Sequence, residues 1–135
     1  MKVYFDENFS PRLVEGLRAF QAGAPNEGIE VHSISETFGP GTPDEEWIPK
    51  VAQQHAIAIT QDLNIHRMRH QWQLCEHYKI GIIFVQPPKK GWNYWSIILL
   101  IVKLWREIVQ NGQNSKRPFA AEIKATTGRL KPLSS

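Results

Sequence analysis

Short apolar runs alternate with helical segments along most of the chain, and this alternation restricts the possible folds more than any other feature. The predicted strands are KVYF (2–5), IEVHSI (29–34), AIAIT (56–60) and IGIIFV (80–85). Helices are predicted at about 11–22, 43–54, 68–78 and 92–110. Strands separated by helices form parallel sheets with helices on both faces. We therefore expect an α/β fold, a three-layer α/β/α sandwich with a mostly parallel central sheet.

The chain of 135 residues has the length of one domain with a single core. Residues 1–111 are predicted to form the α/β core, and 112–135 a basic C-terminal extension that folds as a last strand or as a hairpin turning at Thr127–Gly128. Asp6 and Glu7 stand where the apolar part of a signal peptide would lie. Helix 92–110 is a poor membrane span because Lys103 and Arg106 interrupt it. Together with a single cysteine, Cys75, these features predict a cytoplasmic protein without a membrane segment.

Charge is unevenly distributed along the chain. Residues 1–62 carry four basic and ten acidic side chains, whereas residues 85–135 carry nine basic and two acidic ones. The two regions therefore have net charges of −6 and +7 within an overall +3. An enzyme that holds metal cations among carboxylates and also binds a polyanion needs both kinds of surface, although chance clustering on a solvated surface gives the same count.

Acidic residues follow two of the predicted strands directly and begin the helix after a third. Asp6 and Glu7 follow the first strand, Asp62 follows the third, and 44–46 is a run of acids in the first turn of a helix. In parallel sheets ligands bind outside the carboxyl ends of the strands, so we expect Asp6, Asp44 and Asp62 to converge at that edge. Carboxylates that converge without a basic partner repel one another, and a divalent cation relieves the repulsion. Oxygen ligands favour Mg²⁺ or Mn²⁺.

Each acidic cluster also has a purely structural interpretation. Acidic residues in a first helical turn are favoured by the helix dipole, Asp6 is a possible cap for the next helix, and Asp62 is a possible turn residue. Arg67 and Arg69 lie near the same edge and are able to neutralise the carboxylates without any metal. The sequence leaves these alternatives open.

Two stretches of the sequence resemble a known family. FDENFSPRL and PDEEWIPKVAQQHAIAITQD are similar to PIN-like domains, which open with D-E-N-L-S, carry D-E-E in mid-chain and continue to a T-x-D strand end. The stretch TQDLNIHRMRHQWQLCEHYKIGIIFV resembles the branch with an I-R-x-R segment after the Asp, which includes toxins of type II toxin–antitoxin pairs. The resemblance covers about residues 2–88 and implies a small PIN-like α/β/α nuclease that cuts single-stranded RNA with Mg²⁺ or Mn²⁺.

The resemblance also implies roles for individual residues. Asp6, Asp44 and Asp62 match the catalytic, metal-binding acids, with Glu45 as a register alternative to Asp44. Asn64 stands where many relatives have a further Asp, so it supplies a carbonyl oxygen with one charge fewer. Glu7 is expected to support these acids. Asn8 and Thr60 are expected to orient them through hydrogen bonds.

Basic and aromatic residues outside the acidic clusters are candidates for contacts with RNA or with a partner. The candidates for phosphate binding are His66, Arg67, Arg69, Lys89 and Lys90. The last helix contains four aromatic residues, Trp92, Tyr94, Trp95 and Trp105. They are candidates for stacking on bases. The apolar run beside them favours the alternative that they belong to the core or to an interface. That helix is too apolar for a surface helix, so we expect a homodimer or a cognate antitoxin protein to cover one side.

Overall fold

Six strands and five α-helices make up the fold in the computed structural model, which describes residues 1–62, 64–91 and 93–133. Trp92, one of the four aromatic candidates, lies outside the described residues. The elements in chain order are β1 (Lys2–Phe5), α1 (Pro11–Ala22), β2 (Glu30–Ser33), α2 (Ile34–Phe38), α3 (Asp44–Gln53), β3 (Ile57–Thr60), α4 (Ile65–Tyr78), β4 (Gly81–Gln86), α5 (Tyr94–Asn114), β5 (Phe119–Lys124) and β6 (Arg129–Pro132).

The strands form one sheet in the order β2-β1-β3-β4-β5-β6. The first five strands are parallel, and β6 pairs antiparallel with β5. The chain runs from β1 outward to β2 on one side and returns to β3 on the other side of β1. This reversal creates a switch point at the carboxyl ends of β1 and β3, which is where open α/β sheets bind their ligands.

Alternating side chains of the strands divide the core into two layers, one on each face of the sheet. On one face, α1 and α5 pack against the sheet through Leu13, Val14, Leu17, Ile97, Ile101, Leu104 and Ile108. On the other face, α2, α3 and α4 pack through Ile34, Trp47, Ile48, Val51 and Cys75. The predicted α/β fold with three layers and a mostly parallel sheet is therefore confirmed.

Several predicted boundaries are wrong, each for a local reason. The run 29–34 does not remain a strand to its end, because the Ser33 side chain accepts a hydrogen bond from the Glu36 N–H and starts the short helix α2. Helix α4 begins at Ile65 and not at 68, because Asn64 is its N-cap. Helix α5 continues beyond 110 to Asn114. Helix α3 begins at Asp44, one residue after the predicted position, and carries Pro49 in its second turn.

Residues 119–132 form a hairpin that completes the sheet. Strand β5 pairs with β4 along its whole length and buries Ala121 and Ile123. Gly128 adopts a left-handed conformation with φ 62°, which a glycine reaches without steric cost, and the chain turns there into β6. No helix in the described ranges combines the length and the apolar character needed to cross a membrane.

Gly81 is expected to be intolerant of any side chain, because it lies opposite Phe119 in the β4–β5 pair. A Cβ atom at this position would lie 2.1 Å from Cε1 of the Phe119 ring. We expect Gly81→Ala to lower the free energy of unfolding by about 1–3 kcal/mol, measured by urea denaturation. Gly16 in α1 has no atom within 4 Å of such a Cβ, so Gly16→Ala is the matched control and should be neutral or stabilising. Equal effects of the two substitutions would contradict this packing argument.

Candidate active site

Asp6 begins the loop that follows β1, at the switch point of the sheet. Its N–H donates to the Ile59 carbonyl at 3.1 Å, which joins the ends of β1 and β3. The carboxylate accepts hydrogen bonds from the N–H of Asn8 (3.2 Å), the Nδ2 of Asn8 (3.4 Å) and the N–H of Gln61 (3.2 Å). Asn8 also donates to the Gln61 carbonyl at 2.7 Å. These contacts fix the orientation of a carboxylate that is only 5% exposed.

Burial strongly perturbs the ionisation of Asp6. Desolvation raises the pKa of its carboxyl group from 3.8 to about 7. The hydrogen bonds from Gln61 and Asn8 and the positive charge of Arg67 oppose this rise but do not cancel it. Asp6 therefore exchanges a proton near neutral pH, which is where a general acid or base is most effective.

Asp44 is the first residue of α3, and its side chain points into the protein. Its Oδ1 accepts a hydrogen bond from the indole Nε1 of Trp47 at 2.9 Å and a long one from Nε2 of Gln71 at 3.5 Å. The residue is 7% exposed. Two neutral donors therefore hold Asp44 in a fixed position on the α3–α4 side of the sheet.

Arg67 lies among the three aspartates. Its Nη2 and Nε lie 3.4 and 3.5 Å from Oδ1 and Oδ2 of Asp44, and its Nη1 lies 3.1 Å from Oδ2 of Asp62. Partial burial disfavours the charged guanidinium, but Asp44, Asp62 and, at longer range, Asp6 outweigh it and raise the pKa of Arg67. The Arg67 guanidinium thus pairs with Asp44 at the start of α3 and with Asp62 in the β3–α4 loop. It also interacts electrostatically with Asp6, which follows β1.

Of the two alternatives that the sequence left open, a metal ion or a basic side chain among the acids, the structure contains the basic side chain. Arg67, which the sequence offered both as a neutralising residue and as a phosphate contact, is paired with two of the acids. In the parts of the chain that the structure describes, no three His, Cys, Asp or Glu side chains form a group that could hold a metal ion. The physical reason is that the guanidinium stands between Asp44 and Asp62 and is the positive charge that compensates them.

The other predicted ligands and supporting residues are engaged in different contacts. Asn64 is the N-cap of α4, and its Oδ1 accepts hydrogen bonds from the N–H groups of His66 and Arg67. Glu45 pairs with His70 on α4. Glu7 accepts a hydrogen bond from the N–H of Gly41 at 3.3 Å.

Thr60 does not have the orienting role predicted for it. Its hydroxyl is fully buried at the end of β3 and makes no hydrogen bond with any described residue, so Asp6 and Asp62 are oriented by other groups. Asn8 does contact Asp6, through both its backbone and its side chain.

The remaining candidates for phosphate binding lie around this edge of the sheet. His66 and Arg69 are exposed in the first turns of α4, and Lys89 and Lys90 are exposed in the turn after β4. A narrow cleft with a free volume of only about 10 Å³ lies between Asp6, Thr42, Trp47 and Arg67. Such a cleft accommodates about one water molecule and no nucleotide, so a substrate at this edge has to lie outside it.

Two residues of the site were missed by the analysis of the sequence. Trp47 lies three positions after Asp44 and therefore on the same helical face, and its indole N–H needs a partner when buried, so its contact with Asp44 could have been expected. Gln71 is a fully buried polar residue on α4, four positions after Arg67. A polar side chain on the inner face of a helix, one turn from a charged one, is the signal that could have revealed it.

Comparison with family models identifies the relationship of this fold. The model described as PIN like domain matches residues 1–86. The chain belongs to the PIN-like domain family. The matched region of this PIN-like domain runs from β1 to the end of β4 and contains Asp6, Asp44, Asp62 and Arg67. Comparisons with curated proteins and with solved structures give no match.

Membership of the family gives the domain a nuclease-type character. PIN-like domains are generally nucleases, and such nucleases typically use divalent metal ions. The three aspartates of this PIN-like domain provide oxygen ligands only, which suits a hard cation such as Mg²⁺ or Mn²⁺. In the described residues these three do not form a group that could hold a metal ion, so a cation would bind among them only after Arg67 leaves Asp44 and Asp62.

Proposed function

We propose that this PIN-like domain is a metal-dependent endoribonuclease that hydrolyses phosphodiester bonds of single-stranded RNA. The observation that carries the proposal is the pairing of the Arg67 guanidinium with Asp44 and Asp62, while Asp6, at the switch point of the sheet, interacts with the same charge at longer range. Without that guanidinium the carboxylates would repel one another, and a divalent cation would relieve the repulsion.

Each residue of the group contributes a separate function to this reaction. A bound divalent cation would supply Lewis-acid stabilisation of the phosphoryl oxygens and a lowered pKa for an attacking water. Asp6 would accept the proton of the attacking water, because hydrogen bonds from Asn8 and Gln61 fix its carboxylate at the switch point of the sheet. Trp47 and Gln71 keep the Asp44 carboxylate in place while Arg67 moves.

Cations near the aspartates would bind the substrate backbone. Arg67, once released from Asp44 and Asp62, reaches the same edge as the exposed His66 and Arg69. Lys89 and Lys90 extend this basic surface from the turn after β4. Each phosphate neutralised in this way adds affinity that decreases with salt.

A second candidate function is a PIN-like module that binds RNA or a protein without cleaving. Two observations favour it: Arg67 already neutralises the acids, and Asn64 is used as a helix cap instead of as a ligand. A toxin of a toxin–antitoxin pair remains the prediction from sequence, as does a partner that is either a second copy or an antitoxin. On α5, Trp95, Leu99 and Val102 are exposed on one side, and a partner would bind there.

The two candidates differ in metal binding and in cleavage. The experiment incubates a fluorescent single-stranded RNA with the protein in Mg²⁺, in Mn²⁺ or in a chelator, and titrates each metal by calorimetry. The nuclease predicts cleavage in at least one metal, none in the chelator, and a calorimetric binding signal at millimolar metal or below. Neither cleavage nor metal binding at millimolar concentrations would contradict the nuclease and favour the binding module.

A further inference from the structure

An apolar groove runs beside α4, next to the aspartates but on the opposite side of the helix. Its cavity has a volume of about 550 Å³, within the usual range for small-ligand sites. Its walls, which we name the α4–β5 groove, are formed by Ile65, Met68, Trp72, Phe84, Ala120 and Leu133. The three α4 residues lie on one helical face, while Arg67 and Gln71 lie on the face that meets Asp44.

Positive charge borders this groove on both sides. Arg69 lines it from α4 and is exposed. On the other side, Lys131 is exposed and pairs with Glu122 in the β5–β6 register, so it shares a sheet face with Ala120 and Leu133. An apolar floor between cations complements a ligand with flat apolar faces and an anionic backbone, which describes single-stranded nucleic acid.

The groove and the candidate active site lie close together, on two sides of α4. Phe84 in the floor of the groove pairs in register with Thr60, two residues before Asp62. Trp72 is five residues after Arg67, about 7.5 Å along the axis of α4. A strand with one phosphate at the aspartates would pass around α4 to reach the groove, so the nucleotide bound there would be a few positions away along the strand.

We propose that the α4–β5 groove binds a nucleotide of single-stranded RNA, with its base stacked on Trp72 and its phosphate paired with Arg69. This inference rests on the proposed function for the choice of RNA and extends it to a specific binding subsite. Arg69 favours RNA over an apolar protein segment, which would leave the guanidinium in the groove without an anionic partner, whereas Lys131 already lies opposite Glu122 in the β5–β6 pair. The groove is then what positions the strand relative to Asp6.

The test measures binding of a labelled eight-nucleotide single-stranded RNA by fluorescence anisotropy in a chelator, where no metal-dependent cleavage occurs. Replacing an aromatic side chain that stacks on a base by alanine lowers affinity by about five- to a hundredfold. We expect a loss of this size for Trp72→Ala. Trp72→Phe should keep affinity within about threefold because it retains an aromatic face. Arg69→Gln should reduce the slope of log affinity against log salt by about one.

Phe20 supplies the matched control, because its ring is 70% exposed on α1, which packs on the other face of the sheet from the groove. Phe20→Ala should leave RNA affinity unchanged. If Trp72→Ala unfolds, Arg69→Gln still decides the question through the salt slope. Unchanged affinity in Trp72→Ala together with an unchanged slope in Arg69→Gln overturns the proposal, and it is the result expected if a protein segment occupies the groove. No RNA binding by the wild type overturns it as well.

The outcomes separate this proposal from the proposed function. If RNA is cleaved in the presence of metal but Trp72→Ala binds RNA as well as the wild type does, the proposed nuclease function stands and the groove is not an RNA-binding subsite. Trp72-dependent binding without cleavage in any metal supports the groove and contradicts the nuclease.

Discussion

Asp6→Asn is expected to reduce RNA cleavage by at least ~10²-fold and, at the same time, to remove a pH-dependent destabilisation of the fold. The loss of cleavage follows because the amide can neither accept a proton from the attacking water nor contribute negative charge to a cation site. The rate is measured with labelled single-stranded RNA in Mn²⁺ at pH 7.5. Asp62→Asn, at the other end of the same group, should reduce the rate similarly.

The effect on stability follows from the raised pKa of Asp6. Its folded-state pKa of about 7 lies above the ordinary 3.8, so the folded protein binds the proton more tightly than the unfolded chain does. The stability contributed by this protonation is complete below about pH 3.8 and is lost as the pH rises through 7. Between pH 5 and pH 8, the wild type should lose about 2–3 kcal/mol of unfolding free energy relative to Asp6→Asn in metal-free buffer.

Chemical denaturation at the two pH values measures this difference, and Glu15→Gln is the control. Glu15 is half-exposed and pairs with Arg12 on the surface of α1, so its removal should change neither cleavage nor the pH dependence. A difference between wild type and Asp6→Asn that does not vary with pH would show that Asp6 is ionised in the folded state throughout. Normal cleavage by both Asp6→Asn and Asp62→Asn would show that the site is assigned wrongly.

The fold was predictable because its determinants are local. Each central strand is a short apolar run, as strands buried on both faces require, and Ser10 with Pro11 fixes the start of α1 through capping and a preset φ angle. The exception, α2, follows a strand whose apolar alternation continues into Ile34. There the Ser33 side chain accepts a hydrogen bond from the Glu36 N–H, which starts a helix in place of a longer strand. The spacing of apolar residues gives no indication of this hydrogen bond.

The placement of Arg67 was less predictable, because it depends on the phase of α4. Interpreting Asn64 as a ligand concealed its function as an N-cap, so the helix was predicted to start after Arg67. With the correct start, Arg67, Gln71 and Cys75 follow at intervals of four and share the inner face. Strand ends were enough to place Asp6 and Asp62 at one edge of the sheet, and the start of a helix suggested the same edge for Asp44. The pairing of Asp44 and Asp62 with a guanidinium depends on the packing of α3 against α4, which the sequence pattern does not give.

Arg67→Gln is expected to lower the dissociation constant for Mn²⁺ by ~10-fold. The guanidinium lies within 3.1–3.5 Å of oxygens of Asp44 and Asp62, so a cation that binds these oxygens must displace it or bear its repulsion. An exposed ion pair contributes about 0.2–1 kcal/mol, and the side chains of Asp44 and Asp62 are only 7% and 14% exposed. Removing a charge shared by both is therefore expected to amount to about one tenfold step in affinity, ~1.4 kcal/mol.

Calorimetry measures the affinity, and thermal denaturation with and without Mn²⁺ provides a readout independent of activity. Without metal, Arg67→Gln should be less stable than the wild type, because Asp44 is nearly buried and keeps only Trp47 and Gln71 as partners. Mn²⁺ should therefore raise the melting temperature of the variant by more than it raises that of the wild type.

Arg67→Lys and Arg12→Gln complete the set of variants. The first keeps the positive charge among the aspartates and should bind Mn²⁺ within about threefold of wild type, and the second removes an exposed arginine of α1 and should have no effect. Unchanged affinity in Arg67→Gln would mean that the guanidinium does not compete with the metal. Weaker binding would mean that Arg67 holds the carboxylates in their binding arrangement. The predicted increase would identify Arg67 as the internal cation that stabilises the carboxylates in the absence of metal.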